Sequence, residues 1–530
     1  MTQGILRVLR APPSGSVTPW PWTTRMRAVP PALLLLLLAG CATVAATPPA
    51  SGVITGDART SGRTPLQQFV DSLVEVPEFR SAQWGILVVD PATHDTLYSR
   101  NADKLFMPAS NMKLLTGATA VTQLGLGFRW TTSMFARGPV RDGLLDGDLV
   151  VRGTGDPSFS AHMHPGNGLA PFEALADSLK AHGITRIRGQ LVASPSPFTD
   201  AALGFGWAWD DLDDSYSAGI DALYFNEGFT DVVVHGGARA GDPVRVVTRP
   251  AATYPAVIVR ARTIAALSTR STRADSTAAS AITLAQDSSR AGVLVAGTIA
   301  AGDSVAGEIT FRDHPRAFLA ALSEALQRRG IRVFGTTVNG GTPRLDSIAT
   351  LQSPTLREVL PFFLKPSQNQ IGELLFKTLA LRATGVGRAD SAAQVVSRQL
   401  LAWSAAPDGF AVRDGSGLSR HDYVTPRTLV TVLDAMRRSA DFAPFYDALP
   451  IAGVDGTIRG RMKGTAAMGN LHAKTGTLDK ARSLSGYVTT ADGRLLLFSA
   501  LCNNYVVPTR RVDQVTDALG IRLASMRRAP

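Results

Sequence analysis

Two stretches of helical periodicity flank a long run of short strands, and any fold for this chain has to accommodate that interruption. Before it, Leu66, Phe69, Val70, Leu73 and Val74 recur at helical spacing. Gln83–Asp90 then reads as a buried strand, and Thr96–Arg100 completes a hairpin across a turn containing Pro91. From about 134 to 308 the texture changes to short strands between Gly and Asp turns, as in Gly147–Gly153 and Asp231–Gly236. One helix interrupts them, with Pro171 near its start, Phe172, Leu175 and Leu179 on one face, and Gly183 after its end. Residues 263–291, rich in Ser, Thr and Ala, read as a low-complexity surface excursion. Helical spacing returns at Phe318, Leu319, Leu322, Ala325 and Leu326, and helices are expected from there to about 447. Two apolar strands near Ser483–Thr490 and Leu495–Cys502, and a helix around Arg511–Met526, close the chain. The expectation is an α+β domain over 64–133 and 309–530, split by a mostly β insert over 134–308.

The N-terminus narrows the compartment. Arg25 and Arg27 precede the apolar run Pro31–Gly40, which holds six consecutive leucines. It is too short to span a bilayer, for which about 20 residues are needed, but it has the charged and apolar regions of an export signal. Its end, Leu38-Ala39-Gly40-Cys41, resembles a bacterial lipobox. That likeness implies an export signal over 1–40, lipid on Cys41, and a flexible tether over 41–63 rich in Ala, Thr, Pro, Ser and Gly. Met26 is an alternative start. The membrane contact expected is therefore the lipid, at the cell envelope or in the periplasm. Cys502, the only other cysteine, then has no disulfide partner, and its apolar surroundings make it a small buried hydrophobe.

The net charge of +11 invites a nucleic-acid reading, yet the four arginines and no acids of residues 1–40 leave +7 beyond them. The remaining basic residues are scattered among acids, with no basic stripe and no interleaved aromatics, so nucleic acid is not expected as a partner. His162-Met163-His164 lacks a third ligand and reads as loop. Trp207 and Trp209 read as packing residues.

Three short motifs carry the chemistry. In Pro108-Ala109-Ser110-Asn111-Met112-Lys113, Pro108 resists a helix interior and Ser110 favours a helix start, so Lys113 lies about one turn on, on the same face. A lysine can take a serine's proton only when burial lowers its pKa, and Leu114, Leu115, Ala118 and Val121 make this helix apolar enough to be buried. The bland alternative is a helix cap with an exposed lysine. In Lys365-Pro366-Ser367-Gln368-Asn369, alternate side chains can face one cavity: Ser367 to relay a proton and Asn369 to hold an amide. Alone, that segment reads better as a helix N-terminus. In Lys474-Thr475-Gly476-Thr477 the lysine and threonine suit a carboxylate, and the glycine permits close approach to backbone. An ordinary turn would look the same.

Their order, Ser-x-x-Lys, Ser-x-Asn, Lys-Thr-Gly, resembles that of the penicillin-recognising serine enzymes. Ser110 and Ser367 lie 257 positions apart, and so large a gap resembles the class C low-molecular-mass penicillin-binding proteins, D-alanyl-D-alanine carboxypeptidases and endopeptidases. Arg152–Pro157, Asp414–Ser419 and Ala452–Thr457 also look like that family, over roughly residues 65–525. Gln368 departs from it, where Asp or Asn is more usual.

The resemblance implies a penicillin-binding/transpeptidase-like (β-lactamase-like) fold and attack by Ser110 on peptidoglycan stem peptides, with Lys113 as base and Ser367 as proton relay. It further implies amide binding by Asn369 and carboxylate binding by Lys474 and Thr475. Gly476 would contribute to substrate binding by letting the substrate approach the backbone closely, and the backbone N–H groups of Ser110 and Thr477 would form the oxyanion site. No metal or organic cofactor is implied, and β-lactams are expected as covalent inhibitors. The competing expectations are a β-lactamase, with Glu373 the nearest glutamate after Asn369, and a non-catalytic wall-binding lipoprotein.

Overall fold

The computed structural model describes residues 63–250, 254–266, 280–287, 292–337 and 346–527. Cys41, the export signal and the tether lie outside them. The central element is a five-stranded antiparallel sheet in the order His472–Leu478, Ala481–Thr489, Leu495–Asn503, Gln83–Asp90, Asp95–Arg100. Gln83–Asp90 and Leu495–Asn503 are apolar almost throughout because both faces of the sheet are covered, and their alternation sorts side chains between two cores. Trp84, Ile86, Val88, Leu496, Phe498, Ala500 and Cys502 face the helices Pro65–Val74 and Thr509–Ser525. Leu87, Leu497 and Leu501 face a larger helical layer containing Met112–Leu124, Leu356–Leu364, Asn369–Thr384 and Pro426–Arg437. Cys502 is fully buried in the first core, and burial pushes its thiol up to about 12.

Local signals fix several helix starts. Thr64 and Gln67 form a capping box ahead of Pro65–Val74, and Thr355 with Glu358 does the same for Leu356–Leu364. Both boxes satisfy backbone donors that would otherwise be orphaned at the helix end.

The β-rich segment builds a second layered unit. One sheet runs Asp346–Gln352, Thr131–Arg137, Asp148–Gly153, Arg186–Ala193, Leu144–Leu145, Val140–Arg141, with Arg332–Thr337 also paired to Arg186–Ala193. The helices Ala170–Ala181 and His314–Arg328 bury Phe172, Leu175, Phe318 and Leu322 in one core with this sheet. Two smaller sheets, including Ser304–Thr310, Phe229–His235 and Arg245–Arg249, enclose a further small core.

The edge expected at 308 does not coincide with where the pairing stops. The helix at 314–328 and the strands at 332–337 and 346–352 pack or pair with the 131–193 sheet, and the chain enters the helical layer at Thr355. The apolar stripe of Phe318–Leu326 does form a helix, but periodicity does not reveal which sheet the stripe faces. Helices are expected to dominate here too, yet long-range pairing makes strands of 332–337 and 346–352, in sequences too polar to register as buried strands.

Candidate active site

Pro108 sits before a tight turn, Ala109–Asn111, which runs directly into the helix Met112–Leu124. This places Ser110 and Lys113 on the same face, with Lys113 Nζ donating to Ser110 Oγ at 2.8 Å. The amine also donates to Asn369 Oδ1 at 2.6 Å and to the Ser416 carbonyl at 2.7 Å. All three acceptors are uncharged, and Lys113 is 0 % exposed. Burial lowers its pKa to about 7, while the more distant Asp414, Glu373 and Asp422 oppose the fall.

Ser367 occupies a left-handed backbone position with φ of 67° just before the helix Asn369–Thr384. Non-glycine residues seldom adopt that conformation. Its Oγ accepts from Lys474 Nζ at 2.7 Å, so the second serine has a lysine as well. Gln368 caps the helix by accepting from the Gln370 N–H, while Ser367 and Asn369 line the cavity. Lys474 is fully buried, and burial, with Lys113 adding to it, lowers its pKa well below the ordinary lysine value.

Lys474-Thr475-Gly476-Thr477 is not a turn. It belongs to the edge strand His472–Leu478. The start of that strand is covered by the chain at 450–452, where Ala473 N–H donates to the Pro450 carbonyl at 3.0 Å. Thr475 Oγ1 lies 2.7 Å from Thr457 Oγ1. A Cβ on Gly476 would stand 2.1 Å from Ser483 Oγ and 2.5 Å from the Pro108 carbonyl, so only glycine lets the strand meet the turn that carries Ser110. Thr477 receives a hydrogen bond from Arg482, which is paired with Asp513.

These residues meet at one cavity of about 580 Å³. Ser110, Ser367, Asn369, Thr475 and Thr477 line it; Lys113 and Lys474 lie behind the serines; Gly476 forms the close backbone contact. Every catalytic or binding residue expected from the three motifs is therefore at this place.

The Asp414–Ser419 stretch and Glu373 are tied to the site by hydrogen bonds that the sequence does not reveal. Asp414 accepts from the N–H groups of Ser416, Gly417 and Ser419 at 3.1, 2.7 and 2.7 Å, and Glu373 from those of Gly415 and Ser416 at 3.0 and 2.8 Å. Together they hold the loop whose Ser416 carbonyl receives Lys113. Glu373 is buried and pushed up to about 8, chiefly by burial and then by Asp414. Gly417, with φ of 82°, lies so close that a Cβ would meet the Ala109 carbonyl at 1.8 Å.

Trp207 Nε1 donates to Asp414 Oδ2 at 3.0 Å, so its indole is tied to the Asp414–Ser419 loop. Trp209, expected to pack, is 84 % exposed. Asn369 Nδ2 donates to the Tyr216 carbonyl at 2.8 Å, and Tyr216, Asp210 and Asp211 line the far wall of the cavity. The Asp414–Ser419 and Ala452–Thr457 stretches were visible in the sequence. Nothing local marked Trp207 as the partner of Asp414 or Tyr216 as that of Asn369.

Comparison with known proteins identifies the family. The family model for the D-Ala-D-Ala carboxypeptidase 3 (S13) family matches residues 66–525. The D-alanyl-D-alanine carboxypeptidase of Actinomadura sp. (strain R39) is 34 % identical over 486 residues, covering 88 % of this chain and 86 % of that protein. The D-alanyl-D-alanine carboxypeptidase DacB of Haemophilus influenzae is 28 % identical over 413 residues, covering 76 % and 82 %. The crystal structure of penicillin-binding protein 4 (dacB) from Haemophilus influenzae superposes with a TM-score of 0.72 at 25 % identity, covering 85 % of this chain and 97 % of that one. With nearly the whole described region matched, the chain belongs to the D-Ala-D-Ala carboxypeptidase 3 (S13) family.

Proposed function

We propose that this protein is a serine D-Ala-D-Ala carboxypeptidase that works through an acyl-enzyme on Ser110 and also opens D-Ala cross-links of peptidoglycan as an endopeptidase. The observation that carries this reading is the Ser110–Lys113 pair: a hydroxyl 2.8 Å from a fully buried amine whose pKa is about 7. Near neutrality such an amine is available as a base, which an ordinary lysine is not.

Lys113 takes the Ser110 proton as Oγ attacks the penultimate D-Ala carbonyl. The developing oxyanion lies between the backbone N–H groups of Ser110 and Thr477; such a donor is worth about 2.7–4 kcal/mol of barrier. Asn369 has committed one N–H to Tyr216, which leaves one for the acyl-side amide. Thr475 and Lys474 receive the terminal carboxylate. An arriving anion favours the charged form of Lys474, which burial otherwise disfavours. Ser367, already bonded to Lys474, passes a proton to the departing amine as the peptide C–N bond breaks and the Ser110 ester remains. Water then cleaves the ester and regenerates the serine.

β-Lactams present a carboxylate and a strained amide to the same groups, and they are proposed as covalent inhibitors. Glu373 does not favour a β-lactamase, because its Oε1 accepts from two loop N–H groups beneath Lys113. The site is proposed to act at the cell envelope, with Cys41 as its lipid attachment; Cys41→Ser should abolish incorporation of labelled palmitate.

The test is intact-mass analysis after penicillin treatment, together with digestion of sacculi. A persistent adduct that Ser110→Ala removes, release of D-alanine, and loss of cross-linked dimers are expected. Rapid drug turnover without adduct would support a β-lactamase. Activity unchanged in Ser110→Ala would sink the serine mechanism.

A further inference from the structure

The cavity around Ser110 has a neighbour on the side where the leaving group departs. Thr457, whose hydroxyl meets that of Thr475, is a wall of the Ser110 cavity and also of a second depression of about 460 Å³. Phe362, Lys365, Pro366 and Arg459 line this depression, and His162 closes its far end. The His162 ring meets Phe362 edge-on, with centroids 5.7 Å apart. Beyond it, His162 is also a wall of a cavity lined by Glu227, Asp231 and Glu308 together with Arg249 and Arg328. Asp231 and Glu308 are direct partners on neighbouring strands.

A departing D-alanine ends at its carboxylate, beside Thr475, and has no use for this extension. The amino-side product of cross-link cleavage is a whole second peptide, and its chain continues past the carboxylate that Thr475 holds. We infer that the groove from Thr457 to His162 is the binding site for the second stem peptide of a cross-linked pair. This rests on the endopeptidase reading above.

The lining suits that occupant. Phe362 and Pro366 offer apolar contact for peptide backbone and alanine methyls. Lys365 is paired with Asp455 at 2.6 Å. Arg459 is exposed and has no ion-pair partner among the described residues, which leaves its charge for the free carboxylates that stem peptides carry.

The test compares a cross-linked peptide dimer with a monomeric pentapeptide, using wild type, Arg459→Glu and Phe362→Ala. For both variants the ratio of dimer to pentapeptide kcat/KM should fall about tenfold, equivalent to about 1.4 kcal/mol of lost binding. Titration of the Ser110→Ala protein should show the dimer binding more tightly than the monomer, with that preference lost on adding Arg459→Glu. If wild type releases D-alanine but leaves the dimer intact, the endopeptidase reading falls. If the dimer is cleaved but the ratio stays within about twofold in both variants, or the binding preference is unchanged, the groove assignment is overturned.

Discussion

The pH dependence of Ser110 acylation tests the role of Lys113 most directly. Its amine is fully buried against three neutral acceptors, and burial brings its pKa to about 7. Only the neutral amine can accept the serine proton, so the rate rises with pH. For a pKa of 7 the neutral fraction grows from about 9 % at pH 6 to about 91 % at pH 8, a tenfold gain followed by a plateau. A lysine at its ordinary value would give about a hundredfold gain over the same interval and keep climbing towards pH 10. The assay is the second-order rate of acylation by a chromogenic cephalosporin, by stopped flow, from pH 5 to pH 10 at constant ionic strength. A profile still rising about tenfold per unit above pH 8.5 would refute the argument. So would a profile flat from pH 5.5, since either places the base elsewhere than in this buried amine.

Three further outcomes follow from the geometry. Trp207→Phe removes the N–H donated to Asp414 and strengthens that carboxylate's hold on protonated Lys113. The acid limb should move up by about half a unit to one unit with the plateau preserved; an equal loss at every pH would mean simple distortion. Gly476→Ala drives a methyl into Ser483 Oγ and the Pro108 carbonyl. It should cost about 1–3 kcal/mol of stability by overpacking and about a hundredfold in acylation through displacement of Ser110; thermal melting and stopped flow report the two, and normal acylation would contradict the tight seat. Thr457→Val leaves Thr475 Oγ1 without its 2.7 Å neighbour. Losing about 1 kcal/mol there should raise KM about fivefold with little change in kcat, whereas a fall in kcat alone would assign Thr457 to proton transfer.

The parts of this fold that sequence reveals are those where a residue's neighbours in the chain determine its environment. Gln83–Asp90 reads as a buried strand because covering both faces requires apolar side chains at nearly every position. Leu66, Val70 and Val74 read as a helix because one face is buried and the other is wet. The strands at 332–337 and 346–352 fail that test, since their pairing with 186–192 and 131–136 decides their conformation while their own composition stays mixed. The same divide runs through the site. Ser110 and Lys113 are legible as a helical pair, but the Ser416 carbonyl that fixes the lysine is backbone and has no side-chain signature. The carboxyl groups that hold the loop bearing it, by accepting from the Ser416 N–H, come from Glu373 and Asp414, 41 positions apart.

The dependence of the candidate site on the segment around 207–216 has no signature in the sequence. It sits in the middle of what sequence marks as an insertion, yet three of its atoms bind the site: Trp207 Nε1 on Asp414, the Tyr216 carbonyl on Asn369, and the Ser215 carbonyl on Gln370 at 2.7 Å. Each partner is itself buried. Excising the segment would leave the amides of Asn369 and Gln370 without acceptors and Asp414 without one of its donors, and an unmade buried bond costs about 1–3 kcal/mol each. Asn369 also accepts from Lys113, so the first of those losses falls on the group that orients the base. The segment therefore belongs to the candidate site by its hydrogen bonds, although it joins that site from the middle of a region that reads as an addition to it.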